Sequence, residues 1–170
     1  KIFQIGSSSS IMEYLAYFTD AWLFFFIPRF SYSIKVQVVN PKKIYCIDNG
    51  FIKTNSVSFS PDNGRLLENM VFLQLRYQTS EIFYFSEKKE CDFVVFHQKK
   101  LQGVYQVCWQ LDQENMDREI AGLMEAMDFF ELKSALIITI DQTDQFILED
   151  KTIHVVPFYE WAEEQYTKNK

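Results

Sequence analysis

Apolar positions along the chain recur at two spacings, and the switches between them outline the elements. Ile11, Leu15, Phe18 and Trp22 fall at helical spacing behind four serines, so this stretch reads as a short, serine-capped amphipathic helix. "FFFIPRFSYSIKVQVVNPKK" reads as extended, with Pro28 and Pro41 as breaks, and "KIYCIDNGFI" as a strand ending at an Asn49–Gly50 turn formed with Asp48. After a polar loop, "NSVSFSPDNG", the stripe Leu66, Met70, Leu73 and Tyr77 marks a helix in "GRLLENMVFLQLRYQ". Three short strands follow, "EIFYFSE", "ECDFVVF" and "GVYQVCWQ", with hairpin turns expected at Lys88–Lys89 and at Gln98–Lys100. "DQENMDREIAGLMEAMDFFEL" presents Ile120, Leu123 and Met127 as one helical face. "SALIITI" is a buried strand, "FILEDKTIHVVPF" a small hairpin, and "YEWAEEQYTKNK" a fraying helix.

Strands that are apolar throughout need cover on both faces. The pattern therefore predicts an α/β fold, a mixed central sheet flanked by helices, with a short helical segment in front. Composition adds little to this: 48% hydrophobic and 24% charged residues are ordinary for a globular domain, although 17 Phe in 170 residues favour an aromatic core or contact surface. A net charge of −6 argues against binding nucleic acid by bulk electrostatics and leaves room for a local basic patch, for which Arg29, Lys35, Lys42 and Lys43 are the densest candidates. Cys46, Cys91 and Cys108 lack the spacing of a zinc site and read as buried, reduced thiols of a cytoplasmic protein. The longest apolar run, "AWLFFFI", is too short to cross a bilayer, so no membrane partner is expected. The chain opens on Lys1, which reads as an internal piece of a longer protein.

Polar residues interrupt this apolar scheme at informative places. Glu68 lies within the first long helix, Asp92 within a strand, and Gln106 and Cys108 two positions apart on the next strand, on one face of it. Neighbouring antiparallel strands can set Asp92 beside Gln106, and a helix packed on the sheet can deliver Glu68 to the same spot. Converging carboxylates suit a hard divalent cation. Plainer readings stand beside these. Glu68 can pair with Arg65 or Arg76, and Asp92 with Lys88 or Lys89. His97 and His154 read as ordinary strand-end residues. The aromatic run from Trp22 to Phe30 can be a core seam or an exposed contact patch.

Glu on a helix, Asp on a strand, then Glu/Gln-x-Lys on the next strand resembles the PD-(D/E)xK nuclease pattern, a restriction-endonuclease-like fold. In that family the acids hold magnesium and the lysine positions the attacking water. The blocks "EYLAYFTDAWLFFFIPRFSYS", "NPKKIYCIDNG", "GRLLENMVF", "KKECDFVV", "YQVCWQL" and "REIAGLMEAMDFFEL" further resemble a C-terminal domain of unknown function carried by bacterial and archaeal AAA-type ATPases. That resemblance implies residues 1–40 as a winged-helix remnant with a connecting segment and residues 41–170 as a nuclease-like domain. It implies an N-terminal ATPase domain as partner. No P-loop motif occurs in this chain, so ATP is implied only for that missing domain.

The departure from the nuclease pattern falls on its decisive strand. Cys108 stands where the pattern has lysine, and Gln106 where it more often has Glu. A thiol is mostly protonated near neutral pH and carries no fixed positive charge. Loss of one such electrostatic group costs about 100- to 1000-fold in rate. The expectation is a catalytically silent scaffold, with Glu68, Asp92, Gln106 and Cys108 as vestigial site residues and Glu68 and Asp92 as residual metal ligands. It would serve nucleic-acid recognition, partner recognition or self-association as a homo-oligomer. The alternative is a divergent magnesium-dependent nuclease using Glu68, Asp92 and Gln106, rescued by a relocated lysine such as Lys88, Lys89, Lys99 or Lys100.

Overall fold

The computed structural model describes residues 7–55 and 62–168. Helix α1 (Ser8–Asp20) starts where the serine run predicts, with the Ser10 N–H donating to Ser7 Oγ. It ends at Trp22, whose φ of 58° lies in the left-handed region that glycine usually fills. The Trp22 N–H donates to Thr19 O and the Leu23 N–H to Phe18 O, closing the helix end. Of the expected stripe, Ile11, Phe18 and Trp22 are exposed and Leu15 is half-buried, so α1 lies on the surface.

The extended reading of the next segment holds only at its ends. Strands β1 (Phe24–Pro28) and β2 (Lys42–Cys46) pair antiparallel, and a short helix α2 (Ile34–Val39) stands between them. Its sequence, IKVQVV, is β-branched and favours a strand by propensity. A helix forms instead, with the Gln37 amide donating to Ser31 O. The Asn49–Gly50 turn is likewise corrected. Asp48 Oδ1 accepts from the Phe51 N–H at 2.9 Å and opens helix α3 (Asn49–Asn55). Asp, Asn and Gly serve helix starts as readily as turns, and the sequence does not separate the two. The β1–β2 pairing joins residues on either side of position 40. Most of the loop expected after α3 lies outside the described residues.

From there the predicted order holds. Helix α4 (Asn63–Arg76) is capped by Asp62, which accepts from the Arg65 N–H. Strands β3 (Ile82–Ser86), β4 (Glu90–His97) and β5 (Lys100–Val107) form an antiparallel meander. Gln98 and Lys99, both at positive φ, make the two-residue turn between β4 and β5. Helix α5 (Met116–Phe129) carries the chain to β6 (Ser134–Thr139), parallel to β5. The hairpin β7 (Asp144–Leu148) and β8 (Lys151–Pro157) places β8 against β6, completing a six-stranded sheet of order β3-β4-β5-β6-β8-β7.

Each face of this mixed sheet has its own core. On one, Leu67, Val71, Phe72 and Leu75 of α4 pack with Phe93, Val95, Val107 and Ile138. On the other, Leu123, Ala126 and Met127 of α5 pack with Val94, Val104, Ile137 and Val155. Helix α6 (Phe158–Lys168) joins the α4 side and is docked rather than fraying, since Trp161 is buried against that core. The aromatic run splits between its two readings. Ile27 is buried, Phe25 packs on Phe72, and Phe30 meets Phe83, Phe96 and Phe130, whereas Trp22 is exposed beneath the Arg76 guanidinium. Among the described residues no helix is long and apolar enough to cross a membrane.

Candidate functional site

The antiparallel register sets Phe93 opposite Tyr105, which brings Asp92 and Gln106 side by side on β4 and β5. The Asp92 N–H donates to Gln106 Oε1 at 3.2 Å, and the Gln106 amide donates to Glu119 Oε2 on α5 at 2.6 Å. Asp92 itself is buried. Its Oδ2 accepts from the Val107 N–H at 2.9 Å, and its Oδ1 accepts from Lys43 Nζ at 2.7 Å. Lys43 comes from β2, whose antiparallel partner β1 fixes its direction. Its ammonium also lies 3.2 Å from Glu68 Oε1 and 2.9 Å from Glu90 Oε1. Tyr45, two residues along β2, donates its hydroxyl to the same Glu68 oxygen at 2.6 Å.

Three of the four sequence candidates therefore converge: Glu68 and Asp92 share Lys43, and Gln106 touches Asp92. Cys108 does not join them. It lies one residue beyond the end of β5, and its Sγ donates to Gln110 O at 2.9 Å beside Asn115. Burial, then the Glu119 charge, pushes this thiol up to about 11, so it is neutral at ordinary pH. The rescuing lysines expected at the turns are not the ones that arrive. Lys88 and Lys89 line the rim, Lys99 sits in the β4–β5 turn, Lys100 opens β5, and Lys43 reaches Asp92 instead. Of the basic residues expected around Lys43, Lys43 itself is engaged by carboxylates and Arg29 pairs with Glu87, while Lys35 and Lys42 are exposed. Neither plain pairing holds: Arg65 binds Asp62, and Arg76 lies over Trp22 and Phe25.

Electrostatics follow from crowding three acids around one cation, with Asp92 the most buried of them and Glu90 exposed. Burial opposes the charge on Lys43, but Asp92 and Glu68 outweigh it and hold the ammonium well above the usual lysine range. Burial is the largest influence on Asp92 and pushes it up to about 7, against the pull of Lys43 and with the help of Glu68. The Tyr45 phenol is driven far above its ordinary value by burial and by Glu68. These groups stand between two cavities. One, of about 530 Å³, is lined by Glu68, Glu90, Asp92 and Gln106, with Arg65, Lys88, Lys89 and Arg118 at its rim. The other, of about 520 Å³, is lined by Lys43, Tyr45 and Cys46, and shares Arg65, Glu68 and Glu90 with the first.

Oxygen ligands of this kind suit magnesium, but their arrangement does not fit it. Both Asp92 oxygens are committed, Glu68 Oε1 accepts twice, and the Gln106 oxygen is turned to a backbone N–H. As they stand, among the described residues no group of three or more His, Cys, Asp or Glu side chains is arranged to hold a metal ion.

Lys43, Tyr45, Glu90 and Glu119 complete the site, and sequence reasoning missed each of them as a site residue. Glu90 had a signal, since it stands two residues before Asp92 at strand spacing. Glu119 had one too: it falls four residues before Leu123 on the apolar stripe of α5 and is buried.

Over an alignment of 167 positions that covers 92% of its length, the chain is 35% identical to an uncharacterized protein of Methanocaldococcus jannaschii. It spans 36% of that protein's length. No family model matches the chain, and no solved structure matches it.

Proposed function

We propose that this chain is a non-catalytic, nuclease-like accessory domain that recognises nucleic acid at the rim of the acid-lined cavity. The observation that carries the reading is where Gln106 and Cys108 point. In the nuclease pattern the corresponding side chains serve the reacting phosphate. Here the Gln106 oxygen is held by the Asp92 N–H and its amide by Glu119, while the Cys108 thiol is held by Gln110 O, so both groups are engaged within the protein. A catalytic strand with its two working groups turned aside supports a scaffold rather than an enzyme.

Recognition is assigned to the rim. Glu125 accepts from the Lys88 N–H at 2.9 Å and the Lys89 N–H at 2.7 Å, fixing the turn that carries both exposed lysines to the cavity mouth. Arg65 and Arg118 border the same mouth with exposed guanidiniums. Such a cluster can contact a phosphate backbone although the whole chain carries −6. The relative's greater length is consistent with an accessory role within a larger polypeptide, for which the sequence resemblance suggests an AAA-type ATPase.

Fluorescence anisotropy with labelled single- and double-stranded DNA and RNA tests the assignment. Binding at low ionic strength should weaken with added salt, and Lys88→Glu with Lys89→Glu should weaken it about tenfold or more. Affinity indifferent to both changes would remove the rim from the account. A second reading, a metal-dependent nuclease, is favoured by one observation, the approach of Lys43 to Asp92. It predicts cleavage that Asp92→Ala abolishes, where the first reading predicts none.

A further inference from the structure

We propose that Lys43 is a built-in cation that closes the acid cluster and makes it independent of divalent metal. The inference deepens the reading above, on which it rests for a pocket without resident metal, and the two fail in different assays. Three carboxylate oxygens, from Glu68, Glu90 and Asp92, lie within 3.2, 2.9 and 2.7 Å of one ammonium. They come from a helix and a neighbouring strand, and the cation that joins them arrives from β2, 49 positions before Asp92.

A free divalent ion would have to displace a tethered group. The β1–β2 ladder holds Lys43 in place, and the Asn69 side chain pins β2 further by binding both Cys46 N–H and Cys46 O. A tethered ligand competes at an effective concentration of about millimolar or more. Displacement would also strand a half-buried ammonium, whose side chain is 21% exposed.

Removing the ammonium reverses each of these terms. Asp92 Oδ1, Glu68 Oε1 and Glu90 Oε1 lose their shared partner, and three carboxyl groups face one another with no cation among them. Oxygen-rich sites of this charge take manganese or magnesium from solution. The lysine thus stands in for the ion that such a set of acids would otherwise require.

The test is titration with manganese chloride of the wild-type chain, of Lys43→Met, and of Lys43→Met/Glu90→Gln, by calorimetry and by thermal unfolding. The double variant has one carboxylate fewer to repel its neighbours and decides the matter if the single variant does not fold without metal. Wild-type unfolding should not move with manganese. The variants should bind manganese about tenfold more tightly than wild type or better, and their unfolding midpoints should rise with its concentration. Wild-type affinity equal to that of the variants, or no gain in either variant, overturns the proposal. Loss of nucleic-acid binding in the anisotropy assay would overturn the recognition reading and leave this one standing.

Discussion

Asp92 is pulled two ways. Its burial favours the neutral acid, while Lys43 on β2 favours the carboxylate, and Glu68 on α4 adds repulsion. Glu90 shares Lys43 with it, and Glu119 with Arg118 lies across Gln106 on α5. The net effect raises it from an ordinary 3.8 to about 7 in the folded chain. The folded form then keeps a proton that the unfolded chain has released. This contribution to stability is full below 3.8 and is lost as pH rises through about 7. Asp92→Asn should flatten that part of the profile when urea midpoints are measured at stepped pH, and equal slopes in the two proteins would refute the assignment. Phe93, on the opposite face of the same strand, is fully buried among Tyr45, Phe72 and Trp161. Phe93→Ala should cost about 3–5 kcal/mol in equilibrium unfolding. A loss under about 0.5 kcal/mol would mean that the strand faces are reversed.

At the scale of elements, legibility followed periodicity. Helices α4 and α5 and strands β3 to β6 were readable as elements from their periodicity, but in α4 the buried face is Leu67, Val71, Phe72 and Leu75, while Met70 and Tyr77 of the expected stripe are exposed. Short elements at the surface were not readable. Helix α2 buries none of its residues, which leaves only propensity to read, and propensity favoured a strand. Gly122 illustrates a signal that only packing explains. It interrupts the helical pattern of α5, and a Cβ there would stand 2.0 Å from the Glu90 carbonyl oxygen on β4. In an open helix Gly→Ala stabilises by about 1 kcal/mol. Here the added methyl meets backbone, so Gly122→Ala should instead destabilise by about 1–3 kcal/mol in denaturant unfolding. Stabilisation would show that α5 does not press on β4 so closely. Since Glu90 neighbours the site, the same variant is also expected to disturb the contact with Lys43.

For the molecule as a whole, the sheet with its covering helices was legible, as was the meeting of Glu68, Asp92 and Gln106. Both follow from strand register and from a helix lying across a sheet. The partner of the acids was not legible. Lys43 has no periodic relation to α4 or β4, and on β2 it reads as one basic residue among several. Only tertiary placement of the β1–β2 pair brings it to Asp92, and that one contact changes the account from an acid site lacking a cation to one already supplied with it. Incubation of the chain with single- and double-stranded nucleic acid in magnesium or manganese tests this most directly. The account predicts intact substrate for wild type and for Asp92→Ala alike. Robust metal-dependent cleavage by wild type, abolished by Asp92→Ala, would contradict it.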